Sequence, residues 1–124
     1  MIPRRVMLVA CVFLVLMVLD SATAWAQFTS GIEGTVSDPT GAVVPGATVT
    51  IKNEETGASQ TVQTQDSGSF RFTTLASSAF TVSVAAQGFK TTVQEHIQPP
   101  VAEIKTVNIR MVVGGTDSTV TVTD

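Results

Sequence analysis

From residue 30 onward the chain alternates apolar and polar positions with a period of two, the mark of half-buried strands. Ile32, Gly34 and Val36 fall on one side of an extended chain, and Glu33, Thr35 and Ser37 on the other. Ala47, Val49 and Ile51 alternate with Thr48, Thr50 and Lys52. Phe70 and Phe72 flank Arg71, and Phe80, Val82, Val84 and Ala86 alternate with Thr81, Ser83 and Ala85. Val107, Ile109 and Met111 alternate with Thr106, Asn108 and Arg110. Residues 59–65 and 91–98 are more polar, and Thr119-Val120-Thr121-Val122-Thr123 begins a further extended segment. Turn signals separate these runs: Asp38-Pro39-Thr40-Gly41, Pro45-Gly46, Glu54-Glu55-Thr56-Gly57, Asp66-Ser67-Gly68-Ser69, Gln87-Gly88 and Pro99-Pro100.

The pattern predicts seven strands, at about 30–37, 47–53, 59–65, 69–73, 80–86, 91–98 and 103–112. Short strands with turns every 8–12 residues or so define an all-β sandwich. The expected core is Ile32, Val36, Val49, Ile51, Phe70, Phe72, Leu75, Phe80, Val82, Val84, Phe89, Val107 and Ile109. The polar run 59–65 and the terminal segment 119–123 are the expected sheet edges.

The first 26 residues follow a different rule. Met1 to Arg5 is short and positive, Val6 to Leu19 is apolar and uncharged, and Ala24-Trp25-Ala26 puts small residues where a signal peptidase reads. This is the pattern of a secretory signal peptide, with cleavage expected after Ala26. The apolar run is 14 residues, short of the roughly 20 that span a bilayer. Leu8-Val9-Ala10-Cys11 also fits a lipobox, but the apolar run continues past the cysteine. The expected organisation is a signal peptide at 1–26, a β-sandwich at 27–113, and a linker or the start of a following segment at 114–124.

Removing the leader changes the charge and the chemistry. Residues 27–124 carry five basic and nine acidic side chains, a formal charge of −4. Such a domain has no electrostatic footprint for nucleic acid. Cys11 is the only cysteine, so the core must hold without disulfides, which a domain of about 100 residues can do.

The turn and strand residues together resemble a known family. Gly34-Thr35-Val36-Ser37-Asp38, Gly41, Pro45-Gly46-Ala47, Val49 and Ile51 are followed by Asp66, Gly68, Phe70 and Phe72. Leu75, then Phe80, Val82 and Val84, then Gly88-Phe89-Lys90 complete the order. The chain is similar, over about residues 30–111, to the carboxypeptidase regulatory-like domain. One departure is Ala76-Ser77-Ser78-Ala79-Phe80, where the family usually has Pro and Gly before a Tyr. The resemblance implies a transthyretin-like (prealbumin-like) Greek-key sandwich and a non-catalytic accessory module. It also implies a setting, since such modules sit at the N-terminus of TonB-dependent outer-membrane transporters, and residues 114–123 are similar to the stretch that joins module to plug. The localisation implied is the periplasm or outer membrane of a Gram-negative-type bacterium, with another protein or a downstream transporter domain as partner.

Candidate chemistry is sparse, and no catalytic, cofactor-binding or metal site is expected. His96, the only histidine, has no cysteine beside it for a zinc set and no G-x-S-x-G elbow to serve; it reads as a solvated strand residue. Asp66 to Ser69 lacks the carboxylates of a calcium cage, so Asp66 and Asp38 are read as turn caps. Glu54 and Glu55 read as solvated. A Lys–Asn isopeptide crosslink between Lys52 and Asn108 is disfavoured because both fall on outward positions. Carbohydrate binding, the alternative function, wants exposed aromatic platforms. The only Trp, Trp25, is in the leader, there is no Tyr, and of the phenylalanines after the leader only Phe28 is free of the core pattern. A further reading is a subunit stabilising a carboxypeptidase-like enzyme.

Overall fold

The structure, a computed structural model, describes residues 1–19, 29–115 and 117–122. Among the described residues one helix, α1 (Arg4–Leu19), precedes nine strands. They are β1 (Ser30–Ser37), β2 (Thr48–Asn53), β3 (Ser59–Gln63), β4 (Ser69–Leu75), β5 (Phe80–Ala85), β6 (Thr91–Ile97), β7 (Ile104–Thr106), β8 (Ile109–Arg110) and β9 (Thr119–Val122). No described helix is long and apolar enough to cross a membrane.

The strands form two sheets. One runs β4-β1-β7, with β8 also on β1, and the other runs β3-β2-β5-β6-β9. The inward positions of both form one core: Ile32, Val36, Ala47, Val49, Ile51, Phe70, Phe72, Leu75, Phe80, Val82, Val84, Ile97, Val107, Ile109 and Met111. Each large apolar side chain so buried contributes roughly 1.5–3 kcal/mol before conformational entropy is subtracted. Phe70 and Phe72 pack at a 6.1 Å centroid distance with their rings tilted, a favourable aromatic geometry.

Three expectations change. The seven strands become nine, because the terminal segment pairs as β9 and the run 103–112 divides into β7 and β8. The division has a local cause. β7 and β8 both lie parallel to β1, through Glu33↔Thr106 and Val36↔Ile109. Between them the Val107 carbonyl tilts onto β1, where a Cβ on Gly34 would overlap it. Thr35 N–H then donates to the Asn108 side chain, Oδ1, at 3.2 Å. A side-chain acceptor thus replaces a backbone one, and the ladder is interrupted for two residues.

The second change concerns the core. Phe89, expected inside, is only half-buried, since it follows the Gly88 turn and bridges Val113 at the end of the sandwich. Ile97, which strict alternation turns outward, is buried. The reason is a bulge. Between Phe80↔Ile97 and Val82↔Gln94, β5 advances two residues while β6 advances three. His96 takes φ 58° there, and the phase of β6 flips. β4 uses the same device: Ser30↔Leu75 and Ile32↔Phe72 bracket Thr74 at φ 59°. Both strands therefore end with two exposed residues followed by a buried Leu or Ile.

The third is the turn at residues 66–69. Its described hydrogen bonds include Gly68 N–H to Gln65 O (2.8 Å), Gln65 N–H to Ser69 O (3.0 Å), Val36 N–H to Gly68 O (2.8 Å) and the Ser67–Ser69 hydroxyl pair (2.7 Å). The backbone and serines hold it, and no described hydrogen bond assigns the capping role to the Asp66 carboxylate.

Candidate functional site

Two polar anchors set the loops. Asp38 Oδ1 accepts from Thr40 N–H (2.9 Å), Thr40 Oγ1–H (2.6 Å) and Ala42 N–H (3.0 Å). The Thr40 hydroxyl, followed by the backbone donors, holds this carboxyl below its ordinary range. Asn53, buried at the end of β2, accepts on Oδ1 from Glu55 N–H (2.9 Å), Thr56 N–H (3.2 Å) and Ser78 Oγ–H (2.9 Å). Ser78 stands in the segment 76–79 that departs from the family pattern. Its buried hydroxyl ties that turn to the β2–β3 loop.

Glu54 and His96 come together on the outer face of the five-stranded sheet. His96 N–H donates to Glu54 Oε1 at 2.9 Å, its Nδ1 lies 3.0 Å from Oε2, and Thr81 Oγ1–H donates to Oε1 at 2.9 Å. The His96 side chain is 75% exposed and that of Glu54 only 25%. Glu54 is therefore not a free loop charge. The His96 backbone N–H, then the Thr81 hydroxyl, lowers its pKa. The clamp depends on the β6 bulge, which aims the His96 N–H out of the ladder. Sequence reasoning missed it because the partners are 42 residues apart; the signal was the pair Glu95-His96 before Ile97. Glu95 Oε2 lies 4.0 Å from the other ring nitrogen. Among the described residues no group of three or more His, Cys, Asp or Glu is placed to hold a metal ion.

A groove of about 450 Å³ crosses the outer face of the four-stranded sheet between Thr35, Ser69, Thr106 and Asn108. Arg71 and Glu33, register partners on β4 and β1, meet in it at 3.6 Å. Both are well exposed, so the pair contributes little to stability. Lys52 lies exposed on β2 of the opposite sheet. Lys52 and Asn108 thus face away from each other across the core, a geometry that gives no isopeptide bond. Trp25, Phe28 and the expected cleavage point after Ala26 lie outside the described residues.

The remaining surface of interest is the pair of edges of the five-stranded sheet. β3 forms one and β9 the other, at the two segments the sequence marked as edges. β3 is polar and mostly exposed. β9 presents Thr119, Thr121 and Val122 to solvent, with Val120 half-buried. An edge strand offers unpaired backbone donors and acceptors to an incoming strand.

Fold and surface together define a two-sheet β-sandwich module whose polar side chains anchor loops and whose open backbone lies at its edges. The chain belongs to the carboxypeptidase regulatory-like domain family, whose model matches residues 31–112. No curated protein matches it by sequence. Among solved structures it is similar to the Bacillus anthracis TIE protein, at 16% identity and TM-score 0.58, covering 70% of this chain and 17% of that one. It is also similar to GBS52, the minor pilin of Streptococcus agalactiae, at 12% identity and TM-score 0.57, covering 72% and 46%. Catechol 1,2-dioxygenase from Acinetobacter sp. ADP1 shares the fold at 11% identity and TM-score 0.55, covering 74% and 55%. The chain spans between 17% and 55% of these three proteins. The likeness is one of fold, and it joins a pilin with an enzyme, so it selects no activity.

Proposed function

We propose that this chain is an exported, non-catalytic β-sandwich module with a structural or protein-interaction role, the N-terminal extension of a TonB-dependent outer-membrane transporter. The observation that carries the reading is the family match over residues 31–112 on a sandwich whose five-stranded sheet, among the described residues, ends in β3 and β9 with no further strand beyond either. The apolar segment at Val6–Leu19, too short to span a bilayer, supports export to the periplasm or outer membrane. The titratable clusters support a non-catalytic role: Asp38 and Glu54 are spent on loop anchoring.

Export is tested by expressing the full chain in a Gram-negative host and weighing the protein recovered from each fraction. The expected product is periplasmic or outer-membrane-associated and begins at Gln27. An intact chain retained in the cytoplasm would overturn export. The transporter setting is tested by the genomic reading frame beyond Asp124. Continuation into a plug and barrel is expected, and a stop codon followed by an unrelated gene would contradict it.

A further inference from the structure

We propose that the outer edge of β6 is a strand-acceptor site, filled in the single chain by its own β9 and in a dimer by β9 of a second copy. β9 is held by its ladder and by little else. Among the described strands it pairs with β6 alone, in parallel, through Thr91↔Thr119, Thr92↔Val120, Val93↔Thr121 and Gln94↔Val122. No β9 side chain belongs to the core cluster or to the half-buried residues packed against it. The family match ends at residue 112, before the strand begins. Between the two lies a Gly114-Gly115 joint and a turn closed by Ser118 N–H to Gly115 O at 3.1 Å. The sandwich thus closes without β9, and the connection has the glycines needed to re-aim it.

A second observation points to the same edge. Thr92, on β6 directly beside Val120, is 2% exposed, and its Oγ1 is buried with no hydrogen-bond partner. A lone buried hydroxyl penalises the state that buries it. Release of β9 makes β6 an edge and removes Val120, the neighbour of Thr92 on that side, which opens a path for water to the hydroxyl on our reading. The closed strap therefore carries a built-in bias toward opening.

The occupant follows from the register. The acceptor edge is matched to alternating Thr and Val with no charge and no proline, and the sequence that fits it is Thr119 to Val122 itself. A second copy supplies this strand with every pairing preserved, which is the condition for exchange between identical chains. β9 also lacks the charges and prolines that normally guard an edge.

The test uses the full chain with Cys11→Ser, Val93→Cys and Thr121→Cys, so that the two register partners carry the only thiols. Equal amounts of isotopically light and heavy protein are incubated together at low or high concentration, diluted, oxidised, and mapped by mass spectrometry. At low concentration the expected product is a monomer with an internal 93–121 disulfide. At high concentration a 93–121 disulfide joining light and heavy chains is expected, its share rising with concentration. An internal bond at every concentration would overturn the proposal, as would dimers linked only 93–93 or 121–121. Thr92 lies beside Val120 in the closed chain and in the exchanged dimer alike, so adding Thr92→Val leaves the final exchanged share unchanged. By removing the orphan hydroxyl that favours the open strap, it is expected to slow the approach to that share, followed by quenching samples over time, about fivefold. Equal rates of exchange with and without it would overturn the role given to Thr92.

Discussion

At the residue scale the molecule is decided by a few polar atoms with several partners each. Asn53 Oδ1 serves two backbone donors and the Ser78 hydroxyl. Asn53→Ala leaves those donors unpaired and is expected to cost about 2–3 kcal/mol in urea unfolding. Thr74 is the reverse case. A β-branched residue at φ 59° is strained, and its side chain is exposed, so Thr74→Gly is expected to raise stability by about 1 kcal/mol. Asp38 and Glu54 both have carboxyls held below their ordinary values by hydrogen bonds. A lowered folded pKa contributes stability above the unfolded value, and that contribution is lost as pH falls through the folded one. Thermal midpoints are therefore expected to be flat near neutrality and to fall below about pH 4. Glu54→Gln should lower the midpoint at pH 7 and flatten this acid limb; an unchanged midpoint would mean that the His96 clamp is only decorative.

At the element scale the strands were largely legible because alternation is a local signal. β1, β2 and β5 show it without interruption, and their inward residues are buried. What was not legible depends on partners distant in sequence. The break between β7 and β8 needs Gly34, more than 70 residues away, to let the Val107 carbonyl approach. Gly34→Ala is expected to displace β8 and cost about 3 kcal/mol or more, since backbone rather than a flexible side chain occupies the space. The β6 bulge reverses the phase of a strand that looks weakly patterned, and so hid Ile97 in the core. Ile97→Ala is expected to cost about 3 kcal/mol, whereas an outward Ile97 would be nearly neutral to truncation.

At the scale of the whole molecule, one core closes between two sheets and one strand is added outside it. The family resemblance was legible in the glycines, the Pro45-Gly46 turn and the Phe70–Phe72 pair, because those residues shape turns and fill the core. The polar site was not. Glu54 reads as a loop charge until the bulge at His96 brings a backbone donor to it, and β9 reads as one more strand until its absence from the core is seen. The central claim is this division between a self-sufficient sandwich and a strap on its edge. Native-state amide hydrogen exchange of the full chain tests it most directly. The prediction is that amides of β1, β2 and β5 exchange only through global unfolding, while those bonded between β6 and β9 open at far lower free energy. Amides of β9 as slow as those of β5 would contradict it.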